Sequence, residues 1–236
     1  MNTFNINNTP CEILYEDNNV IAFVKPAGIL SQKSESGEPS VIEYLNAYAD
    51  GKWSTYPVHR LDRTTGGVMI CAKSSASAAA LSALVSGNAM KKEYIAAVHG
   101  TLEGSGTLEH ELYFDRRINK SFPVKKGDRK GVKHAKLDFD AISHLADPDR
   151  TVLHITLHTG RTHQIRCQFA AVGHPILGDS KYGGRTERGV CALWSYRITF
   201  DHGALSGTSL KKSPFVKALH ENNDLLCSPP KGYPFE

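Results

Sequence analysis

Along this chain apolar residues gather in short runs separated by polar and glycine-containing turns. Glu12-Ile13-Leu14-Tyr15 and Val20-Ile21-Ala22-Phe23-Val24 bracket the polar Glu16-Asp17-Asn18-Asn19, the pattern of strand, turn and strand. Lys25-Pro26-Ala27-Gly28 closes the second run, because proline has no N–H to give to a ladder. Residues 1–10 are polar and predict a flexible N-terminus. Gln32 to Pro39 reads as a polar loop. Val41, Ile42, Leu45 and Tyr48 then recur at helical spacing, with Ser40 as an N-cap and Gly51 as a stop.

Further on, Val68-Met69-Ile70-Cys71-Ala72 is a continuous apolar run and predicts a buried strand. Ser74 to Val85 is alanine-rich and predicts a helix that ends near Gly87. Ile95 to Val98 is another buried strand, and 101–114 reads as short strands turning at Gly104-Ser105-Gly106. Strands are predicted at 134–143 and 151–158. Ile165, Phe169 and Val172 share one helical face, with Gly173 suited to the C-terminal cap. Pro175 to Gly184 is a loop and Val190 to Phe200 a last strand. The segment 203–236 is irregular. Strands outnumber helices and come in runs, which predicts an α+β fold with a mostly antiparallel mixed sheet flanked by helices and loops.

Composition changes this picture little. The 236 residues are 40% hydrophobic and 22% charged, enough for a real core, with a formal charge of +4. No apolar run approaches the roughly 20 residues of a membrane span, and the N-terminus lacks the basic and apolar regions of a signal peptide. Five cysteines without a C-x-x-C pair read as reduced core residues of a cytoplasmic protein. Charge distribution says more. Between Arg116 and Lys136 lie Arg116, Arg117, Lys120, Lys125, Lys126, Arg129, Lys130, Lys133 and Lys136 with few acids. With Phe122, Pro123, Gly127 and Gly131 this reads as an extended adaptable loop, either merely solvated or in contact with phosphates.

Candidate chemistry concentrates in two places. His59-Arg60-Leu61-Asp62-Arg63-Thr64-Thr65-Gly66-Gly67 sets one carboxylate between two arginines, just before the buried run. A carboxylate flanked by arginines suits a nucleophile or electrostatic stabiliser; a surface turn with ordinary ion pairs is the plain alternative. Arg161, His163, Gln164 and Arg166 crowd the start of the helix at 164. Arginine there opposes the helix dipole, so an anionic partner is one explanation. Tyr94 follows two lysines and is either a core tyrosine or a ring for stacking on a base. His154, His158, His163 and His174 invite a metal, but no H-E-x-x-H and no carboxylate at ligand spacing accompany them. Phosphate-binding and dinucleotide glycine motifs and the G-x-S-x-G elbow are absent.

Several motifs then line up in order. His59-Arg60-Leu61-Asp62-Arg63 with Thr65 and Gly67 resembles the H-R-L-D-R-x-T-S-G motif of the RluA-type RNA pseudouridine synthases. Lys92-Glu93-Tyr94 resembles the family's K-x-Y, Gly160 to Arg166 its G-R-T-H-Q-I-R, and Val24-Lys25-Pro26-Ala27-Gly28 its N-terminal K-P-x-G. Gly173 to Asp179 with Tyr182-Gly183 resembles its G-H-P-I-x-G-D…Y-G. Thr64, Gly66 and Trp194 depart from the usual Asp, Ser and His.

The resemblance implies a pseudouridine synthase catalytic domain over 11–202, with a central active-site cleft and without the family's frequent S4-like domain. The implied reaction isomerises uridine in RNA to pseudouridine, with no cofactor and no metal. It assigns covalent attack, at the sugar or the base, to Asp62. Arg161 is the arginine paired with that aspartate, and Tyr94 the aromatic packed on the uracil. Arg60 would enter the RNA stack as the uridine leaves. RNA contacts are expected of His59, Arg63, Lys92, His163, Gln164 and Arg166, and by charge of Arg116, Arg117, Lys125 and Lys126. The expected partner is a stem-loop of ribosomal RNA or tRNA, met by a monomer. The other readings are an RNA-binding protein of the same fold that no longer catalyses and, more weakly, a basic-surfaced metal hydrolase.

Overall fold

The structure, a computed structural model, describes residues 2–34, 37–146, 149–184, 190–222 and 225–235. The chain forms two compact units, residues 1–92 with 195–228 and residues 93–194 with 229–236. Two strands, β6 (Met90–His99) and β11 (Leu193–Phe200), run from one unit into the other.

In the first unit the strand order is β1 (Thr3–Ile6), β2 (Thr9–Glu16), β3 (Val20–Lys25), β5 (Gly66–Ala72), β11. Short strands β4 (Tyr56–Pro57) and β12 (Leu225–Leu226) pair with β5 and β11. All seven residues of β5 are buried, which is why its sequence is a continuous apolar run rather than an alternating one. Val68, Ile70 and Ala72 share a core with Val20 and Ala22 of β3 and with Leu81 and Leu84 of α2 (Ser75–Ser86). Helix α2 starts where Ser74 Oγ accepts the Ser77 amide, 3.2 Å away, and stops at Gly87. Helix α1 (Val41–Ala49) starts where Glu43 accepts the Ser40 amide at 2.6 Å, half of a capping box. It ends on Asp50, in the left-handed region at φ 49°, one residue before the expected glycine.

The N-terminus corrects its expectation. Residues 3–6 are not frayed: β1 pairs antiparallel with β2, and Phe4 and Ile6 are buried, Phe4 edge-on to Phe23 at 5.4 Å. Two apolar side chains at alternate positions suffice to seat a strand that polar neighbours disguise. The tail is also more ordered than its sequence suggests. Helices α4 (His202–Ser206) and α5 (Pro214–Asn222) carry Leu205, Phe215 and Val216 into the same core as β5. Asp17, in the β2–β3 turn, holds this tail by accepting from Ser213 Oγ at 2.6 Å and the Phe215 amide at 3.2 Å.

In the second unit the order is β6, β10 (Asp149–Leu157), β9 (Lys133–Ala146), β7 (Ser105–Asp115), β8 (Lys120–Val124), with β10–β9, β9–β7 and β7–β8 antiparallel. Residues 105–115 form one strand, not several. The basic stretch is likewise not an open loop: β8 pairs with β7, Phe114 facing Ser121, so only 116–119 and 125–132 are turns. Helix α3 (Gln164–Ala171) buries Ile165 and Phe169, but Val172 lies past its end and is exposed. Among the described residues no helix is long and apolar enough to cross a membrane. All five cysteines are free thiols; four are buried.

Candidate active site

Asp62 sits in a loop that the first unit fastens from several sides. His59 enters it with Nε2 accepting the Ile70 amide of β5 at 3.1 Å. Leu61 is buried, and Ser31 brackets it, donating to its carbonyl at 2.7 Å and accepting its amide at 3.1 Å. The Gly28 amide donates to the Arg63 carbonyl at 2.7 Å, and Arg63 Nε returns a bond to the Gly28 carbonyl at 3.0 Å. The Asp62 carbonyl accepts the Thr65 amide at 3.0 Å, closing a turn. At Gly67, φ is +113° and a Cβ would stand 2.1 Å from the Ser195 carbonyl oxygen. The glycine is required where the loop meets β11. Asp62 itself is half-buried.

Lys25 explains why the K-P-x-G segment can do this. It is wholly buried, and Nζ donates to the carbonyls of Pro26 at 2.9 Å and Ile29 at 2.8 Å, so the turn that grips Asp62's loop is wrapped around one amine. Burial drags its pKa down to about 7, against the pull of the Asp62 charge, which raises it. This gives a pH prediction. Unfolded, Lys25 titrates near 10.5; folded, near 7. Between those values the unfolded chain holds the proton and the folded one does not, so stability rises with pH across that window. The slope approaches ~1.4 kcal/mol per pH unit. Below about 7 both states are protonated and the burial penalty is fully present. Urea unfolding from neutral to alkaline pH is expected to show this contribution in the native protein. In Lys25→Met it should be missing, so the two curves should diverge across that window, and parallel curves would refute the assignment.

Other loop residues meet their expectations unevenly. Arg60 is exposed. Arg63 is exposed too, but its guanidinium lies on both Glu38 oxygens at 2.8 and 3.1 Å. His59, expected at the RNA, is a loop fastener. Burial, with the Lys92 charge adding to it, lowers its pKa to about 3, so it stays neutral, as its acceptor role needs. Lys92 is half-buried, and burial lowers its pKa.

Tyr94 and Arg161 belong to the second unit. Tyr94 is buried on β6. Arg161 is half-buried and held twice: Nε donates to the His134 carbonyl at 2.8 Å, and its amide donates to Gln164 Oε1 at 3.0 Å. Three neighbours read from sequence as RNA contacts are corrected here. Gln164 is 3% exposed; Oε1 also accepts from Thr159 Oγ1 at 2.7 Å, and Nε2 donates to the Lys136 carbonyl at 3.1 Å. His163 is buried in the left-handed region at φ 54°, with Nδ1 3.1 Å from the Tyr182 hydroxyl. Arg166 is buried in a two-bond ion pair with Asp179, 2.6 and 2.8 Å. These groups shape the Arg161 turn, and the Arg166 charge is met by a carboxylate of the protein itself.

The basic hairpin does present cations to solvent. Arg116, Arg117, Lys125 and Lys126 are exposed, although Arg117 is 3.4 Å from Asp115. Arg129 lies over the Tyr113 ring at 4.5 Å. Sequence reasoning overlooked the roles of Lys25, Asp179 and Tyr182, all inside quoted motifs. It also overlooked Ser31 and Ser121, which nothing in their neighbourhood marks. Among the described residues no group of three or more His, Cys, Asp or Glu side chains could hold a metal.

Comparison with known proteins names the class. A sequence profile described as RNA pseudouridylate synthase matches residues 19–171, and the chain belongs to that family. Curated relatives place it on the RluA-type branch. A Xylella fastidiosa protein named ribosomal large subunit pseudouridine synthase D is 32% identical over 89% of this chain and 64% of its own length. A Pasteurella multocida protein named tRNA pseudouridine synthase C is 32% identical over 81% of this chain and 86% of its own. YhcT of Bacillus subtilis, named an uncharacterized RNA pseudouridine synthase, is 34% identical over 75% and 59%. The chain thus spans about three fifths of the length of the first and third of these. The solved structures of human RNA pseudouridylate synthase domain containing 1 and 4 share the α+β fold. Each has a TM-score of 0.70 over 94% of this chain, at 19% and 20% identity.

Proposed function

We propose that this protein isomerises specific uridines in RNA to pseudouridine, with Asp62 as the nucleophile. The observation that carries the reading is the loop 59–67. Its aspartate lies in a segment pinned by Ser31, Gly28 and His59, inside the residues that match the family. A nucleophile must be held in place to act, and fixed orientation can lower a barrier by several kcal/mol. Tyr94 and Arg161 take the roles that the resemblance assigns, the ring on the uracil and the arginine that serves the aspartate. Exposed Arg60 enters the space the uridine vacates. Flipping a base costs a few kcal/mol, which favours a uridine in a loop.

The exposed cations of the hairpin, Arg116, Arg117, Lys125 and Lys126, hold the RNA backbone, where most affinity arises. Relatives named for the ribosomal large subunit and for tRNA support one of these RNAs as the substrate, and the cost of flipping points to a stem-loop within it. The protein acts as a cytoplasmic monomer and needs no metal, the aspartate supplying the reactive group.

The test is tritium release from C5-tritiated uridine in two pools, unmodified large-subunit ribosomal RNA and unmodified tRNA. Release from one pool supports the enzyme and identifies its substrate class. No release from either, with RNA still bound, favours the non-catalytic RNA-binding alternative. Cleavage of the RNA without tritium release, stopped by chelation, would instead favour a metal hydrolase.

A further inference from the structure

We propose that Ser121 is a positioning residue that couples the basic hairpin to the turn carrying Arg161, so that RNA held on the hairpin orders that arginine. The proposal rests on the enzyme reading above for its kinetic part.

Ser121 is 2% exposed, in a hairpin whose turns are exposed and basic. Its three polar groups all point at the motifs around Arg161. Its hydroxyl donates to the Thr162 carbonyl at 2.6 Å. Its amide donates to the Tyr182 hydroxyl at 2.7 Å. Its carbonyl accepts from Cys167 Sγ of α3 at 3.4 Å. Tyr182 passes the contact on, since its hydroxyl also meets His163 Nδ1 at 3.1 Å and its ring stands edge-on to the imidazole, 5.7 Å away. Phe114, opposite Ser121 on β7, closes on His163 from another side at 6.2 Å. Lys120 reaches over Tyr182 at 5.0 Å.

His163 needs such a clamp. A non-glycine residue in the left-handed region carries strain and persists only where its surroundings impose it. Arg161, two residues earlier, is tied by Nε to the carbonyl of His134, the second residue of β9. The 125–132 turn therefore leaves through β8, which grips the Arg161 turn at Thr162, and returns through β9, which grips Arg161 itself. A load on the turn reaches the arginine through both strands. Of the two grips, Ser121 is the one a side-chain substitution can remove, because the other is a backbone carbonyl.

Single-turnover tritium release at saturating RNA, using unmodified ribosomal RNA and tRNA transcripts, tests the coupling, with fluorescence anisotropy for affinity. Ser121→Ala is expected to lower the rate about tenfold, since small misplacements of a reacting group are costly, with affinity within about twofold because the phosphate contacts remain. Ser121→Thr, which keeps the hydroxyl, should restore the rate. Tyr182→Phe, which strips the acceptor from the Ser121 amide, should repeat the loss. A native rate in Ser121→Ala, measured below the melting temperature of both proteins, overturns the proposal. So does a loss confined to affinity. A second measurement needs no turnover: amide exchange across 161–164 with bulk tRNA as probe. Exchange should slow on RNA binding in the native protein and not in Ser121→Ala. Equal slowing in both, or none in either, overturns the coupling. An absence of tritium release in the native protein would count against the enzyme reading alone.

Discussion

Asp62→Asn is expected to lower tritium release by a factor of about a thousand or more while leaving RNA affinity within about twofold. Asparagine has the shape of aspartate but offers no carboxylate to form a covalent bond, and loss of a nucleophile removes most of an enzyme's acceleration. The loop should survive the change. Its fasteners include the Ser31 hydroxyl on Leu61, Gly28 on Arg63, the His59 ring on Ile70 and the Asp62 carbonyl on Thr65, all of which asparagine leaves in place. Affinity comes from phosphates and cations far more than from one carboxylate. An unchanged melting curve would be the control for the fold. A residual rate within tenfold of native would remove Asp62 from the role of nucleophile.

How much of this site could be read from the sequence depended on the range of the interactions behind each residue. Strand β5 was legible because burial on both faces writes itself as a continuous apolar run. Helices α1 and α2 were legible because Ser40 and Ser74 mark their starts within one turn. Asp62 was legible through the motif around it. By contrast, Gln164 and Arg166 look from sequence like polar residues waiting for an anion. Two of their partners, the Lys136 carbonyl and Asp179, belong to other elements, and the spacing around α3 does not report them. Helix α5 was hidden because Asp17, which accepts the Phe215 amide, lies nearly two hundred residues earlier, as do Val20 and Ala22 of the core it joins. The basic stretch misled by composition. Glycine, proline and lysine read as loop, yet Ser121 and its register with Phe114 make a strand of 120–124. The first correction moves Gln164 and Arg166 into the scaffold; the second leaves Arg116, Arg117, Lys125 and Lys126 on exposed turns, the surface proposed above to face phosphates.

The largest effect on stability is expected from Asp179→Asn. The Arg166 guanidinium and Asp179 carboxylate are 6% and 1% exposed, joined by bonds of 2.6 and 2.8 Å. Replacing the carboxylate leaves a buried cation facing a neutral amide, and breaking one side of a buried pair costs about 3–5 kcal/mol. The exposed pair of Arg63 with Glu38, 54% and 46% exposed at 2.8 Å, makes the contrast. Glu38→Gln should cost under ~1 kcal/mol, because water screens such pairs. Urea unfolding of the two variants beside the native protein reads both numbers. Arg166→Met combined with Asp179→Leu should recover much of the loss, since removing both charges leaves none uncompensated. The comparison also bears on function. A cost for Asp179→Asn as small as that for Glu38→Gln would mean that Arg166 is not committed to its carboxylate, and would return it to the set of residues able to meet RNA. A cost of several kcal/mol keeps it in the scaffold that presents Arg161.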